Sequence, residues 1–149
     1  MSIAAEVRIA PASAADREEV VALLESCALP PAGIDDHFPH AFLVARGEDG
    51  ALRGTAGVEI HGDAGLLRSV AVAETARGQG LGERLSRAAM ELAAERGVRE
   101  TYLLTTGAEG YFPRLGFVRV AREEMPASLD ASEQLRGACP ATAIAMRRG

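Results

Sequence analysis

The 149-residue chain contains no lysine, no asparagine and no tryptophan. Lysine and asparagine codons are AT-rich, so the shortage speaks first of coding composition, yet it has chemical consequences. No lysine Schiff base can form, a Gly-x-x-x-x-Gly-Lys phosphate loop is excluded, and anion recognition falls to the 16 arginines. Cysteine is scarce: Cys27 and Cys139 make neither a zinc spacing nor a disulfide framework, which suits a reducing cytoplasm, and Cys139 reads as a small core residue. No apolar run is long enough to span a bilayer and Met1 to Ala10 lacks a signal-peptide pattern, so no membrane partner is expected. The net charge of −5 comes without a basic block, which argues against nucleic acid as a partner. Arg17-Glu18-Glu19 and Arg122-Glu123-Glu124 read as solvated faces.

What is present is apolar residue in quantity, 48% of the chain, at a length that suits one domain over residues 1–149. Glu6 to Ala10 alternates as a strand. Ser13-Ala14-Ala15-Asp16 then opens a helix like a capping box, with Val20, Val21, Leu23, Leu24 and Cys27 on its apolar side, and Leu29-Pro30-Pro31 ends it. Ile34 to Pro39 forms a polar loop or short turn, a possible substrate lid. Ala41–Ala45, Thr55–Ile60 and Leu66–Val72 read as an antiparallel meander with an Asp49-Gly50 turn signal. A helix begins near Leu81, buries Leu81, Leu85, Ala88, Ala89 and Leu92, and stops at Gly97. Thr101–Thr106 is a strand, Ala108–Leu115 a short helix, Phe117–Val120 a strand, and Thr142–Arg147 returns to the sheet. The order β-α-β-β-β-α-β-α-β-β implies an α/β fold, a mixed and mostly antiparallel sheet with helices on its faces.

The strongest local signal is Arg77-Gly78-Gln79-Gly80-Leu81-Gly82, between the third meander strand and the second helix. Glycines at alternate positions let backbone N–H groups converge on one anion, and the helix adds its unpaired N-terminal donors. Arg77 supplies a forked cation and Gln79 an amide, which points to a phosphate-bearing ligand. The dinucleotide fingerprint fits less well, because its third glycine would stand at a later position.

With Val70-Ala71-Val72 before the cradle and Tyr111-Phe112-Pro113-Arg114-Leu115-Gly116-Phe117 after it, nearly the whole chain resembles the GCN5-related N-acetyltransferases. The resemblance implies that acetyl-CoA is the co-substrate. Backbone groups of Val70, Ala71 and Val72 would bond its pantetheine arm, residues Arg77, Gly78, Gln79, Gly80, Leu81 and Gly82 its pyrophosphate, with Thr105 and Phe112 lining the site. It also implies a wedge between the Leu66–Val72 and Thr101–Thr106 strands, and a possible homodimer. Two departures stand out: many relatives carry Asn near Thr105, and many carry Tyr at Phe112, where the hydroxyl protonates the departing thiolate. Tyr111 is the alternative acid, provided the helix there is rotated or irregular.

For the acceptor, backbone N–H at Val70 is placed to polarise the thioester carbonyl. Glu59 and His61 share one strand face; that face either looks into the wedge, making Glu59 the general base, or is the solvent side of the strand. Arg68 interrupts an apolar strand, and it either pairs with an internal acid such as Glu59 or clamps a substrate carboxylate, with Ser69 and Thr106 beside it. Leu66-Leu67-Arg68-Ser69-Val70-Ala71-Val72, Tyr102 to Thr106 and Cys139-Pro140 look like the arsenic-resistance branch of the family, which implies acetylation of an amino-acid-like toxic compound. The strand is also similar to N-acetylglutamate synthases of arginine synthesis. The expected function is N-acetylation of a small-molecule amine with no metal required; the alternative class is a non-catalytic acyl-CoA-binding regulatory module.

Overall fold

The computed structural model describes residues 7–108, 110–132, 135 and 143–149. Glu6, Cys139-Pro140 and Thr142, which carry parts of the sequence reading, lie outside the described residues, as does most of Met1 to Ala10. Among the described residues, seven strands form one sheet: β1 (Arg8–Pro11), β2 (Phe42–Arg46), β3 (Leu52–His61), β4 (Ala64–Val72), β5 (Glu100–Thr105), β6 (Val118–Val120) and β7 (Ile144–Arg148). Their spatial order is β1-β2-β3-β4-β5-β7-β6, and β4 with β5 is the parallel pair among antiparallel neighbours. A parallel pair needs a crossover, and α2 (Leu81–Glu95) supplies it.

Helix α1 (Arg17–Ser26) covers one face and α2 the other, as the alternation along β2 requires. Phe42 and Val44 pack with Val20 and Leu24 of α1, while Leu43 and Ala45 join Leu81, Leu85 and Ala89 of α2. The expected capping box forms, the Ser13 N–H donating to Asp16 Oδ2 at 2.8 Å, but it heads a 3-10 turn, Ala14–Asp16, that runs on into α1 at Arg17. It ends before the prolines. Ala28 takes a left-handed φ of 58°, and the Leu29 N–H reaches back to the Leu24 carbonyl at 2.9 Å, a Schellman closure. Helix α2 closes the same way around Gly97, with Val98 N–H donating to Ala93 O at 3.0 Å. The expected helix over Ala108–Leu115 is instead a single 3-10 turn, Phe112–Leu115, because Pro113 removes a donor and Gly116 at φ 94° stops the chain. Among the described residues no helix is long and apolar enough to cross a membrane.

Gly57 shows how closely the α1 face is packed. A Cβ at this position would overlap the Phe42 ring, so the aromatic core of that face depends on the missing side chain. Gly57→Ala is therefore expected to destabilise the fold by about 1–3 kcal/mol, the usual cost of overpacking. Urea unfolding monitored by circular dichroism measures it.

Candidate active site

Strands β4 and β5 are neighbours only at their beginnings. They pair at Ala64–Glu100, Gly65–Thr101 and Leu66–Tyr102, although β4 continues to Val72 and β5 to Thr105. Beyond Leu66 the two strands part, and among the described residues the β5-facing edge of β4 has no strand partner. The opposite edge explains part of this. Gly57 faces Arg68 and Thr55 faces Ala71, so β4 advances three residues while β3 advances two. That is a β-bulge, and Ser69 in it has a left-handed φ of 57°. The extra residue inverts the face sequence along β4: Leu67 lies in the α2-side core, as do Val70 and Val72, while Ala71 lies with α1.

The parted strands bound a cleft of about 1390 Å³. Its wall includes Arg68, Ser69, Val70 and Val72 of β4, Thr105 and Thr106 across from them, and Arg77, Gly78, Gly80, Leu81 and Gly82 at the head of α2. Gly78 and Gly80 have φ of 80° and 76°, and nothing lies within 4 Å of a Cβ built on either, so the turn is glycine-dependent by conformation and open in front. Gly82 serves differently: a Cβ there would stand 3.3 Å from the Tyr111 hydroxyl, so this glycine lets Tyr111 approach the helix. A phosphate group fits at these open N-terminal donors and an extended arm fits along the free edge of β4.

Not every expected contact is on the cleft wall. Ala71 is buried against α1, and Gln79 is not among the lining residues. Arg77 lines the cleft but is turned onto the end of β4, its Nε donating to Val72 O at 3.1 Å and its Nη2 lying 3.6 Å from Cys27 Sγ. The Thr105 hydroxyl oxygen accepts from the Ala108 N–H at 3.2 Å. Phe112 packs its ring on Phe117, centroids 5.8 Å apart, and reaches the cleft from the core. Tyr111 precedes the 3-10 turn, so the angular bar set by an α-helix does not hold it away from the cleft. Burial and the neighbouring Glu83 carboxylate push its phenol pKa up, which keeps the hydroxyl protonated.

At the Arg68 end of the cleft, the internal pairing that the sequence allowed for Arg68 is present, while Glu59 takes neither of its two expected positions. Arg68, 3% exposed, is paired internally: Nη1 donates to Glu59 Oε2 at 2.7 Å, Nε to Ser69 Oγ at 3.0 Å and Nη2 to the Pro30 carbonyl at 3.1 Å. Glu59, 1% exposed, is neither on the solvent side nor on the cleft wall. It faces the α1 side with Arg68, and His61 Nε2 donates to its Oε1 at 2.9 Å. Burial pushes the Glu59 pKa up, but bonds from His61, Ser132 and Arg68 and the arginine charge outweigh this and hold the carboxyl below its ordinary value. A carboxylate so stabilised and closed off is a weak base. Sequence reasoning missed His37, whose Nε2 lies 3.6 Å from the same oxygen, and the Pro30 carbonyl. Both sit in irregular segments, where no periodicity shows which way a residue faces. The polar residue pair Arg68-Ser69 inside an apolar strand was the available signal for the bulge.

An unpaired strand edge beside a bulge thus leads to a glycine turn at a helix head. The model of the acetyltransferase (GNAT) domain matches residues 39–119, and the chain belongs to the GCN5-related N-acetyltransferase family. An uncharacterized N-acetyltransferase of Chlorobaculum tepidum is 37% identical over 60 residues, covering 40% of this chain and 38% of that protein. The N-acetylglutamate synthase of Neisseria gonorrhoeae, solved with coenzyme A and N-acetyl-glutamate, superposes with a TM-score of 0.80 at 24% identity, over 95% of this chain and 34% of that one. An acetyltransferase from Streptococcus agalactiae superposes at 0.77 with 16% identity, over 96% and 98% of the two chains. The chain thus spans about a third of the gonococcal synthase. None of these relatives bears on arsenic resistance.

The Arg68–Glu59 pair sets a test of stability. Removing one partner strands the other charge, so Glu59→Gln is expected to cost about 3 kcal/mol at neutral pH. Because the folded-state pKa of Glu59 lies below its ordinary 4.5, its contribution is full above that value and is lost as pH falls through the depressed one. The stability gap between wild type and Glu59→Gln should shrink as pH is lowered from 7 to below 4; thermal unfolding at stepped pH measures it.

Proposed function

We propose that the chain transfers an acetyl group from acetyl-CoA to the amine of a small carboxylate-bearing molecule, an amino acid or a close analogue. The observation that carries this reading is the continuity of the cleft from the glycine turn at α2 to Ser69 and Arg68. One end suits a phosphate-bearing donor, and the other ends at a buried cation. Acetyl-CoA brings the acyl group as a thioester; the chain's own residues position it. Gly78, Gly80 and the first turn of α2 hold the pyrophosphate, and the main chain of Val70 and Val72 aligns the arm as an added strand. The Val70 N–H donates to the carbonyl oxygen on which charge develops. Tyr111, protonated and in the cleft, gives its proton to the departing sulfur in place of the hydroxyl that Phe112 lacks.

Arg68 has donors beyond those used by Glu59, Ser69 and Pro30, since a guanidinium carries five N–H groups. Opening of its bond to the Pro30 carbonyl brings these donors to the acceptor carboxylate, with Ser69 and Thr106 flanking it. Glu59 acts through Arg68, fixing the guanidinium plane, and the ammonium proton leaves through water in the open cleft. Support for an amino-acid acceptor comes from the likeness in fold to the synthase solved with N-acetyl-glutamate. A glutamate acceptor and an amino-acid-like toxic compound of the arsenic-resistance kind are two members of this class.

Thiol release from acetyl-CoA, followed over a panel of amino acids and their decarboxylated amines, tests the reading. The expected result is turnover with at least one α-amino acid and little with its decarboxylated counterpart. Tyr111→Phe should lower kcat by about 100-fold and leave the acetyl-CoA KM near wild type. Tight coenzyme A binding without thiol release for any amine would instead identify a regulatory acyl-CoA-binding module.

A further inference from the structure

His37, Glu59 and His61 converge on the α1 side of the sheet, off the cleft wall, with their potential ligand atoms all within 4.8 Å of one another. His61 and Glu59 are two apart on β3 and so share a face, while His37 comes from the turn after Ile34–Asp36. Both imidazoles address one oxygen: Glu59 Oε1 is 2.9 Å from His61 Nε2 and 3.6 Å from His37 Nε2. The other oxygen, Oε2, is anchored by Arg68 Nη1 at 2.7 Å, so the carboxylate cannot rotate away from the histidines. Hydrogen bonding accounts for only half of this. The His61 contact is a good bond; the His37 contact is too long for one, and the two rings stand edge to face with centroids 5.4 Å apart.

The spacing suits a metal. Ligand atoms bound to one tetrahedral ion at about 2.0–2.2 Å stand about 3.3–3.6 Å from each other; the distances to Glu59 Oε1 are 2.9 and 3.6 Å and all three atoms lie within 4.8 Å, so small side-chain shifts close the set around an ion. Glu59 is 1% exposed, whereas the His37 and His61 side chains are 14% and 15% exposed, so the group opens toward solvent on its imidazole side. We propose that His37, Glu59 and His61 bind one divalent transition-metal ion of the zinc, cobalt or nickel kind through two imidazole nitrogens and one carboxylate oxygen, with a fourth position left for water. Two nitrogens and one oxygen select borderline ions over magnesium or calcium. Arg68 is then the outer partner that orients the carboxylate. Binding forms bonds to both Nε2 atoms and to Oε1; each imidazole ligates as its neutral Nδ1–H tautomer, so the proton now on His61 Nε2 is exchanged through solvent to Nδ1. Because Glu59 also partners Arg68 at the acceptor end, an ion here shares that carboxylate's charge with a residue of the cleft wall.

Titrating chelator-treated, untagged protein with CoCl2, read by visible absorption and native mass spectrometry, tests this without reference to acetyl transfer. The expected result is one Co²⁺ per chain, with the intense visible bands of a four- or five-coordinate ion that Zn²⁺ then bleaches. His37→Ala and His61→Ala should each weaken binding by at least about 100-fold, and Arg68→Met by about 10–100-fold. Thermal unfolding of each variant checks that it folds; should one not, imidazole NMR shifts of the wild type on adding Zn²⁺ report the same contact. Absence of stoichiometric binding, a pale octahedral spectrum, a cysteine-to-cobalt charge-transfer band, or unchanged imidazole signals would overturn the proposal and leave the three residues a hydrogen-bond cluster.

Discussion

One extra residue in β4 governs the molecule's working half. A regular strand pairs evenly with both neighbours, but the bulge between Arg68 and Ala71 bends β4 and puts Ser69 in a left-handed conformation that costs a non-glycine residue about 1–2 kcal/mol. The strand then leaves β5 after Leu66, and its edge becomes available to something other than protein. The inversion of facing along β4 follows from the same residue. Without it, Val70 and Val72 would share the face of Arg68.

The two faces of the sheet consequently do different work. On the α2 side, the wall is apolar, and the helix head carries the open glycine turn. On the α1 side, the wall is polar and buried: Arg68, Glu59 and His61 form one bonded group beneath the loop that Pro30 belongs to, with His37 beside it. An ion pair so buried contributes little net stability over an apolar replacement, but it is intolerant of losing either member. Its value is positional. It sets a cation at the end of the cleft and ties β3, β4 and the chain after α1 to each other.

The elements that repeat a period were legible in the sequence. Helix α2 and strands β2 to β5 show alternation or helical spacing over enough residues to define a buried face, and Gly97 marks its helix end by the chemistry of a left-handed position. The glycine turn was equally plain, because Gly78 and Gly80 take the left-handed φ that glycine adopts without strain. What pattern did not disclose depends on the chain returning from a distance. The stop of α1 at Ala28 rather than at Pro30 uses a residue with no special propensity for that φ. The turn at Phe112–Leu115 is too short for a period to distinguish it from an α-helix. His37 reaches Glu59 from 22 positions earlier in the chain, and the burial of Glu59 beneath that loop reversed the roles that alternation alone allowed it.

The account rests on the parted edge of β4 being where coenzyme A lies. Amide chemical-shift mapping by NMR during titration with coenzyme A addresses it directly. Perturbations concentrated at Ser69 to Val72, Arg77 to Gly82 and Thr105 to Tyr111, with little change on β1 and β2, are the expected result. Perturbations confined to other surfaces, or none at saturating coenzyme A, would contradict it.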